Sequence, residues 1–249
     1  MSENENSITE RLIASAGIAK GMRVLDIGCG NGVVSFLLLE AVGPEGEVIG
    51  IDINGSALEM AKHRAQSSNV SNVKFCVADI SAHLPELGVF DAAFGRRVLM
   101  YLQDPVSALK NISSNVKSGG VVAFQESDST ITPARITSLP LHEKVNQWIW
   151  RTVEREGGNL HMGFELPTVL TESGFIVENV KAEAIIQGQK LHYPFSTVVR
   201  AILPRIVEQG IATEAEIDID TLEQRLKEER PKSCVFISDL AFSVLARKP

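Results

Sequence analysis

Over the first half of the chain, short apolar runs alternate with longer segments whose apolar residues return every three or four positions. The runs at 22–27, 47–53, 73–78, 90–94 and 121–124 are each followed by a glycine or a polar residue. They are too short for helices and predict buried strands. The intervening segments predict helices. One runs from Val33 to a stop at Gly43-Pro44, one from Asn54 to about Ser68, and one from Val106 to about Val116 behind the cap Asp104-Pro105. An amphipathic helix at 7–16 precedes them, with Ile8, Leu12 and Ile13 on one face and Gly17 at its end. Strands alternating with helices imply βαβ units and a parallel sheet, and right-handed crossovers place helices on both faces.

Beyond Glu126 the alternation breaks. Helices are expected at 136–156, ended by Gly157-Gly158, and at 166–173, closed by Gly174. Strands are expected at 175–186 and 234–246. The stretch 194–229 reads as helical, with interruptions at Pro204 and Gly210. The pattern predicts an α/β fold: a doubly wound, mostly parallel seven-stranded sheet with helical lid insertions. One domain spans 1–249. It comprises an N-terminal helix in 1–21, a ligand-binding core in 22–126, lid insertions at 127–160 and 194–232, and further sheet elements in 161–193 and 233–249.

Composition narrows the function. The chain has 249 residues, is 44% hydrophobic and 22% charged, and carries a net charge of -7. That is the balance of a globular protein with ample core. An acidic chain lacks the general basic surface that nucleic acid needs, so no nucleic-acid partner is expected. No apolar run has membrane-spanning length, and the polar, acidic start is unlike a signal peptide. Cys29, Cys76 and Cys234 are too scattered to suggest disulfides, and the five histidines form no metal-binding pair. A cytoplasmic protein without a bound metal is expected. The pattern sets no oligomeric state.

The chemistry starts at Val24-Leu25-Asp26-Ile27-Gly28-Cys29-Gly30-Asn31-Gly32. A buried strand, a tight glycine loop and a helix start follow in succession. Glycines let a ligand approach the backbone, and the helix beyond presents free N–H groups. The dinucleotide pattern G-x-G-x-x-G fits poorly, because Val33 stands where its third glycine belongs. A carboxylate at Asp26 suits a ligand with a cationic end better than a pyrophosphate. Asp26, Asp52, Asp79, Arg96 and Glu126 all fall at or just past a predicted strand end, and ligands of such sheets bind beyond the carboxyl ends of the strands.

The acid-x-Gly-x-Gly-x-Gly spacing resembles the first motif of class I S-adenosylmethionine-dependent methyltransferases, which share a Rossmann-like sheet. The stretch from Phe90 to Leu102, with Asp104-Pro105 after it, resembles their fourth motif region, as Lys117-Ser118-Gly119-Gly120 resembles the approach to their fifth strand. The likeness covers roughly 20–126 and is closest to the small-molecule enzymes of the ubiquinone/menaquinone type. It implies S-adenosyl-L-methionine as cofactor. Asp52 then accepts from the ribose hydroxyls, and Asp79 accepts from the adenine amino group between Ile53 and Ile80. Asp26 is expected to hold the loop amides or the amino group of the methionine part, directly or through water; Gly28, Cys29 and Gly30 form the loop there, with Cys29 as a small side chain in a crowded turn. Arg96 is expected to reach the cofactor carboxylate or a substrate acid, and Arg97 to be structural.

Methyl transfer is an in-line displacement governed by alignment. A base is needed only if the acceptor must lose a proton. Glu126, His161 and His142 are the candidates, Glu126 being at the end of the fifth strand. Tyr101, Trp148, Arg151 and Tyr193 are candidate substrate contacts, with Trp150 and Phe195 beside them in the expected lids. The N/D-P-P-Y/F signature of amino and DNA methyltransferases is absent. A small-molecule acceptor is expected. A protein or RNA methyltransferase, a non-catalytic cofactor-binding module and a nicotinamide-dependent oxidoreductase stay open.

Overall fold

A computed structural model describes residues 3–130, 133–189, 195–232 and 234–249. The first half runs α1 (Glu3–Ser15), β1 (Arg23–Ile27), α2 (Val33–Val42), β2 (Glu47–Asp52), α3 (Gly55–Ser67), β3 (Val73–Val77), β4 (Phe90–Arg96), α4 (Pro105–Ser113) and β5 (Val116–Asp128). The second half adds α5 (Pro140–Arg155), α6 (Met162–Glu172), β6 (Ile176–Gln187), α7 (Phe195–Glu208), α8 (Glu214–Ile217), α9 (Leu222–Glu229) and β7 (Phe236–Arg247).

The strands form one sheet in the order β3-β2-β1-β4-β5-β7-β6. The pairings from β3 through β5 are parallel, and β7 runs antiparallel to both of its neighbours. The doubly wound, mostly parallel seven-stranded sheet expected from the sequence is the one that forms. Its strand order reverses between β1 and β4, which opens a crevice at their carboxyl ends.

Alternation along the strands feeds two cores. Leu25, Ile27, Ala93, Val122 and Phe124 point to one side, where Leu109 and Ile112 of α4 and Leu166 and Leu170 of α6 pack on them. Val24, Ala92, Phe94 and Ala123 point to the other side, against Leu12 of α1 and Leu38 and Val42 of α2. A third core holds α5, α7 and α9 together through Val145, Trp148, Phe195, Val199, Leu222 and Leu226. Helices α5, α7 and α9 thus bury their apolar faces largely on one another. Among the described residues no helix is long and apolar enough to cross a membrane.

Several element boundaries differ from the sequence reading, and three of the differences have a plain physical cause. The helix expected at 136–156 begins at Pro140, because a residue before proline is pushed out of the helical region while proline itself suits a first turn. Pro204 does not interrupt its helix, since α7 runs through it to Glu208. Val199 and Ile206, on either side, are both fully buried in the lid core and hold the two halves in line. β5 starts at Val116, five residues earlier than expected; Phe90 pairs with Val116 and Ala92 with Val121, so the register shift takes up the intervening residues.

Candidate functional site

Two cavities meet at the carboxyl edge of the sheet. The outer one has a volume of about 420 Å³, within the ~300–1,000 Å³ usual for small-molecule sites. Gly28 after β1, Asp52, Ile53 and Asn54 after β2, Ala78, Asp79 and Ile80 after β3, and Arg97, Val98, Tyr101 and Leu102 after β4 line it. Arg205 of α7 closes over it, braced by Glu156, whose Oε1 accepts from the Arg205 Nε–H at 2.7 Å.

The inner cavity is smaller, about 120 Å³, and lies beneath the lid helices. Ile149, Trp150 and Val153 of α5, Phe195 and Val198 of α7, and Met100 supply apolar wall. Ser127, Asn146, Ser238 and Asp239 supply polar groups. Arg97 and Tyr101 line both cavities, so the partition between them is built on these two side chains.

Local rules place these groups. Gly28 has φ of 64°, and a Cβ there would lie 2.7 Å from Val98 Cγ2. Only glycine lets the loop after β1 sit against the turn after β4. Asp52 Oδ2 accepts from the Gly30 N–H at 2.8 Å, and Oδ1 from the Asn54 N–H at 2.8 Å. The carboxylate therefore ties the glycine loop to the start of α3 and keeps further acceptor capacity, since two oxygens offer about four lone-pair sites. Asp79 Oδ1 accepts from the Ser81 N–H at 2.8 Å. Ile53 is 74% exposed beside the cavity while Ile80 is buried, an arrangement that gives a flat ring apolar contact.

Arg97 has φ of 54°, in the left-handed region that β-strand residues avoid. That turn swings its guanidinium into the junction, where Nε–H donates to Ser127 Oγ at 2.9 Å and Nη2–H to Asp239 Oδ2 at 3.0 Å. Ser127 Oγ–H also donates to Asp239 Oδ2, at 2.9 Å.

Several expected site residues stand elsewhere. Asp26 is buried, with Oδ2 accepting from Ser35 Oγ at 2.5 Å, and does not hold the loop amides; Asp52 does. Burial drives its pKa up to about 7, against the opposing hydrogen bond from Ser35 and the attraction of Arg96. Cys29 packs with Leu58, Ala61 and Phe75, away from both cavities, and burial pushes its thiol up. Arg96 turns to α1, where Nη1–H donates to Thr9 Oγ1 at 2.9 Å, and its neighbour Arg97 takes the position between the cavities.

Glu126 lines neither cavity. Its Oε1 accepts from the Val98 and Leu99 N–H groups at 3.0 and 2.8 Å, its Oε2 is buried without a partner, and burial raises its pKa to about 7. It braces the turn that carries the partition. His161 sits just ahead of α6, its side chain 60% exposed and its Nδ1 3.1 Å from Thr130 Oγ1, away from both cavities. Trp148 is buried in the lid core, whereas Trp150, two residues on, faces the inner cavity. Arg151 is exposed on α5 and lines neither cavity. Tyr193 lies outside the described residues. Of Tyr101, Trp148 and Arg151, the expected substrate contacts among the described residues, Tyr101 is the one at a cavity.

His142 is fully buried beneath α9. Glu229 Oε2 accepts from its Nδ1–H at 2.6 Å and from its backbone N–H at 2.9 Å, while Oε1 takes the Leu141 N–H at 2.7 Å. The carboxylate thus caps α5 from α9, and burial lowers the pKa of His142. Sequence reasoning missed Arg97, Asn146 and Asp239 as cavity groups. The spacing Asn146, Ile149, Trp150, Val153 is one helical face and was readable. Asp239 depends on the pairing of β5 with β7, which no local signal announces.

Comparisons with known proteins agree with this architecture. Residues 18–195 match the sequence family described as "Methyltransferase domain". A demethylmenaquinone methyltransferase of Staphylococcus aureus (strain JH9) is 35% identical over 193 residues, 72% of this chain and 77% of that protein. Aklanonic acid methyltransferase DauC of Streptomyces sp. (strain C5) is 35% identical over 114 residues, 46% of this chain. That match spans about half of DauC's own length, 52%. In fold, geranyl diphosphate C-methyltransferase from Streptomyces coelicolor A3(2), solved with Mg2+, geranyl diphosphate and S-adenosyl-L-homocysteine, overlaps 98% of this chain and 79% of its own with a TM-score of 0.62 at 14% identity. The chain belongs to the methyltransferase-domain family, within the class I S-adenosylmethionine-dependent enzymes.

Proposed function

We propose that this enzyme transfers a methyl group from S-adenosylmethionine, held in the outer cavity, to a small-molecule acceptor held in the inner one. The observation that carries the reading is the shared wall: among the described residues, Arg97 and Tyr101 line two cavities of different character. One offers strand-end acids beside apolar flanks, the other a chamber beneath helices that is apolar along α5 and α7 and polar at Ser127, Asn146, Ser238 and Asp239.

The cofactor supplies a methyl carbon made electrophilic by its sulfonium. The chain supplies alignment. Asp52 accepts the two ribose hydroxyls on lone pairs left over from its loop contacts, Asp79 accepts the adenine amino group, and Ile53 and Ile80 flank the base. Arg97, pinned by Ser127 and Asp239, and Tyr101 border both sites, and methyl and nucleophile are brought together at these two side chains. Met100, Ile149, Val153 and Phe195 keep water from the reacting atoms, which leaves the nucleophile poorly solvated. Where the acceptor must lose a proton, Asp239 is the carboxylate on the chamber wall. The small-molecule names of the relatives and the net charge of -7 support a small acceptor and no nucleic-acid partner, and the scattered, free cysteines support a cytoplasmic location.

The test is transfer of labelled methyl groups from S-adenosylmethionine to a panel of ring ketones, phenols and terpenoid alcohols, beside bulk tRNA and denatured protein. Product on one small compound is expected. Label confined to the macromolecules, or binding of S-adenosylhomocysteine without turnover on any compound, contradicts the reading.

A further inference from the structure

The face of α5 turned to the inner chamber is apolar at Ile149, Trp150 and Val153 and polar at Asn146. Asn146 is 3% exposed, and its Nδ2 is buried without a hydrogen-bond partner. The other polar groups of the chamber have partners. Ser238 Oγ–H donates to Ile185 O at 3.0 Å, and Arg97, Ser127 and Asp239 hold one another. Among the described lining residues, Asn146 is the one with a buried polar atom left over. An amide N–H stranded in an apolar wall is costly, and a leucine would fill the same volume without that cost.

We infer that Asn146 orients the acceptor: its Nδ2–H donates to an oxygen on a flat, otherwise apolar molecule, of the aryl ketone, quinone or phenol kind. The inference rests on the inner chamber being the acceptor site. At about 120 Å³ the chamber takes one reacting ring rather than a large molecule. Such a ring lies along Trp150 with its oxygen at Asn146, on the same helix one turn earlier, and its opposite edge toward Arg97 and Tyr101. A hydrocarbon of the same shape displaces any water on Asn146 without replacing its bond, whereas a ketone replaces it. Asn146 is a positioning and specificity residue, with no part in bond making.

The experiment uses two shape-matched single-ring probes, the ketone acetophenone and the hydrocarbon α-methylstyrene, titrated by calorimetry into the full chain with S-adenosylhomocysteine bound. The quantity read is the ratio of the two dissociation constants, which cancels packing effects common to both. Asn146→Leu is expected to shift that ratio against the ketone by roughly tenfold, the usual worth of one buried hydrogen bond. Asn146→Ala, which keeps space rather than filling it, is expected to shift it the same way. An unchanged ratio in the variants overturns the role of Asn146 and leaves the chamber as an acceptor site. Failure of the wild-type chain to bind either probe overturns both.

Discussion

Two carboxylates, Asp26 and Glu126, are buried at the carboxyl end of the sheet, and neither faces a cavity. Burial raises both to about 7 from ordinary values of 3.8 and 4.5. Below those ordinary values each is protonated whether the chain is folded or not. Between them and about 7 the folded chain keeps a proton that the unfolded chain releases, so stability falls as pH rises through that window. His142, lowered by burial, acts in the opposite sense below its ordinary value of 6.5. The share of Glu126 is therefore read by difference. Glu126→Gln keeps an oxygen for the Val98 and Leu99 N–H groups and removes the titration. It should gain stability over wild type between pH 4.5 and 7, by on the order of 2–3 kcal/mol at the upper end. Urea denaturation across that range is the measurement, and parallel profiles for the two chains would contradict the burial argument.

At the scale of elements, one carboxylate ties α9 to the start of α5. Glu229 on α9 takes two backbone N–H groups from the first turn of α5 and the Nδ1–H of His142. Glu229→Ala should cost roughly 1.5–3 kcal/mol of stability, as for other hydrogen bonds to a charged group. The cut also loosens the wall of the inner chamber while leaving the strand-end acids in place. The expected signature is a weaker acceptor, seen as a higher acceptor KM, with S-adenosylhomocysteine affinity within about twofold of wild type. Equal loss of both ligands would show that the lid and the outer cavity do not respond separately. Nothing in the pairing of Glu229 with α5 was readable in advance, because 87 or 88 residues separate the partners.

For the whole molecule, legibility follows the range of the interactions. The sheet was readable because each strand's buried face is written in its own residues, and the crevice followed from strand order. Asp52, Asp79, Ile53 and Ile80 came with it, since a strand end fixes where its next residue stands. Arg97 escaped because a left-handed turn, rather than strand alternation, aims its side chain, so Arg96 looked the better choice. Trp148 and Trp150 could not be told apart until α5 was packed against α7 and α9. The central proposal is geometric: a methyl donor in the outer cavity faces the inner one at Arg97 and Tyr101. A crystal structure of the chain with S-adenosylhomocysteine tests it directly. The account predicts the ribose on Asp52, the adenine between Ile53 and Ile80, and the sulfur at Arg97 and Tyr101. A nucleoside bound elsewhere, or a sulfur turned away from those two side chains, would contradict it.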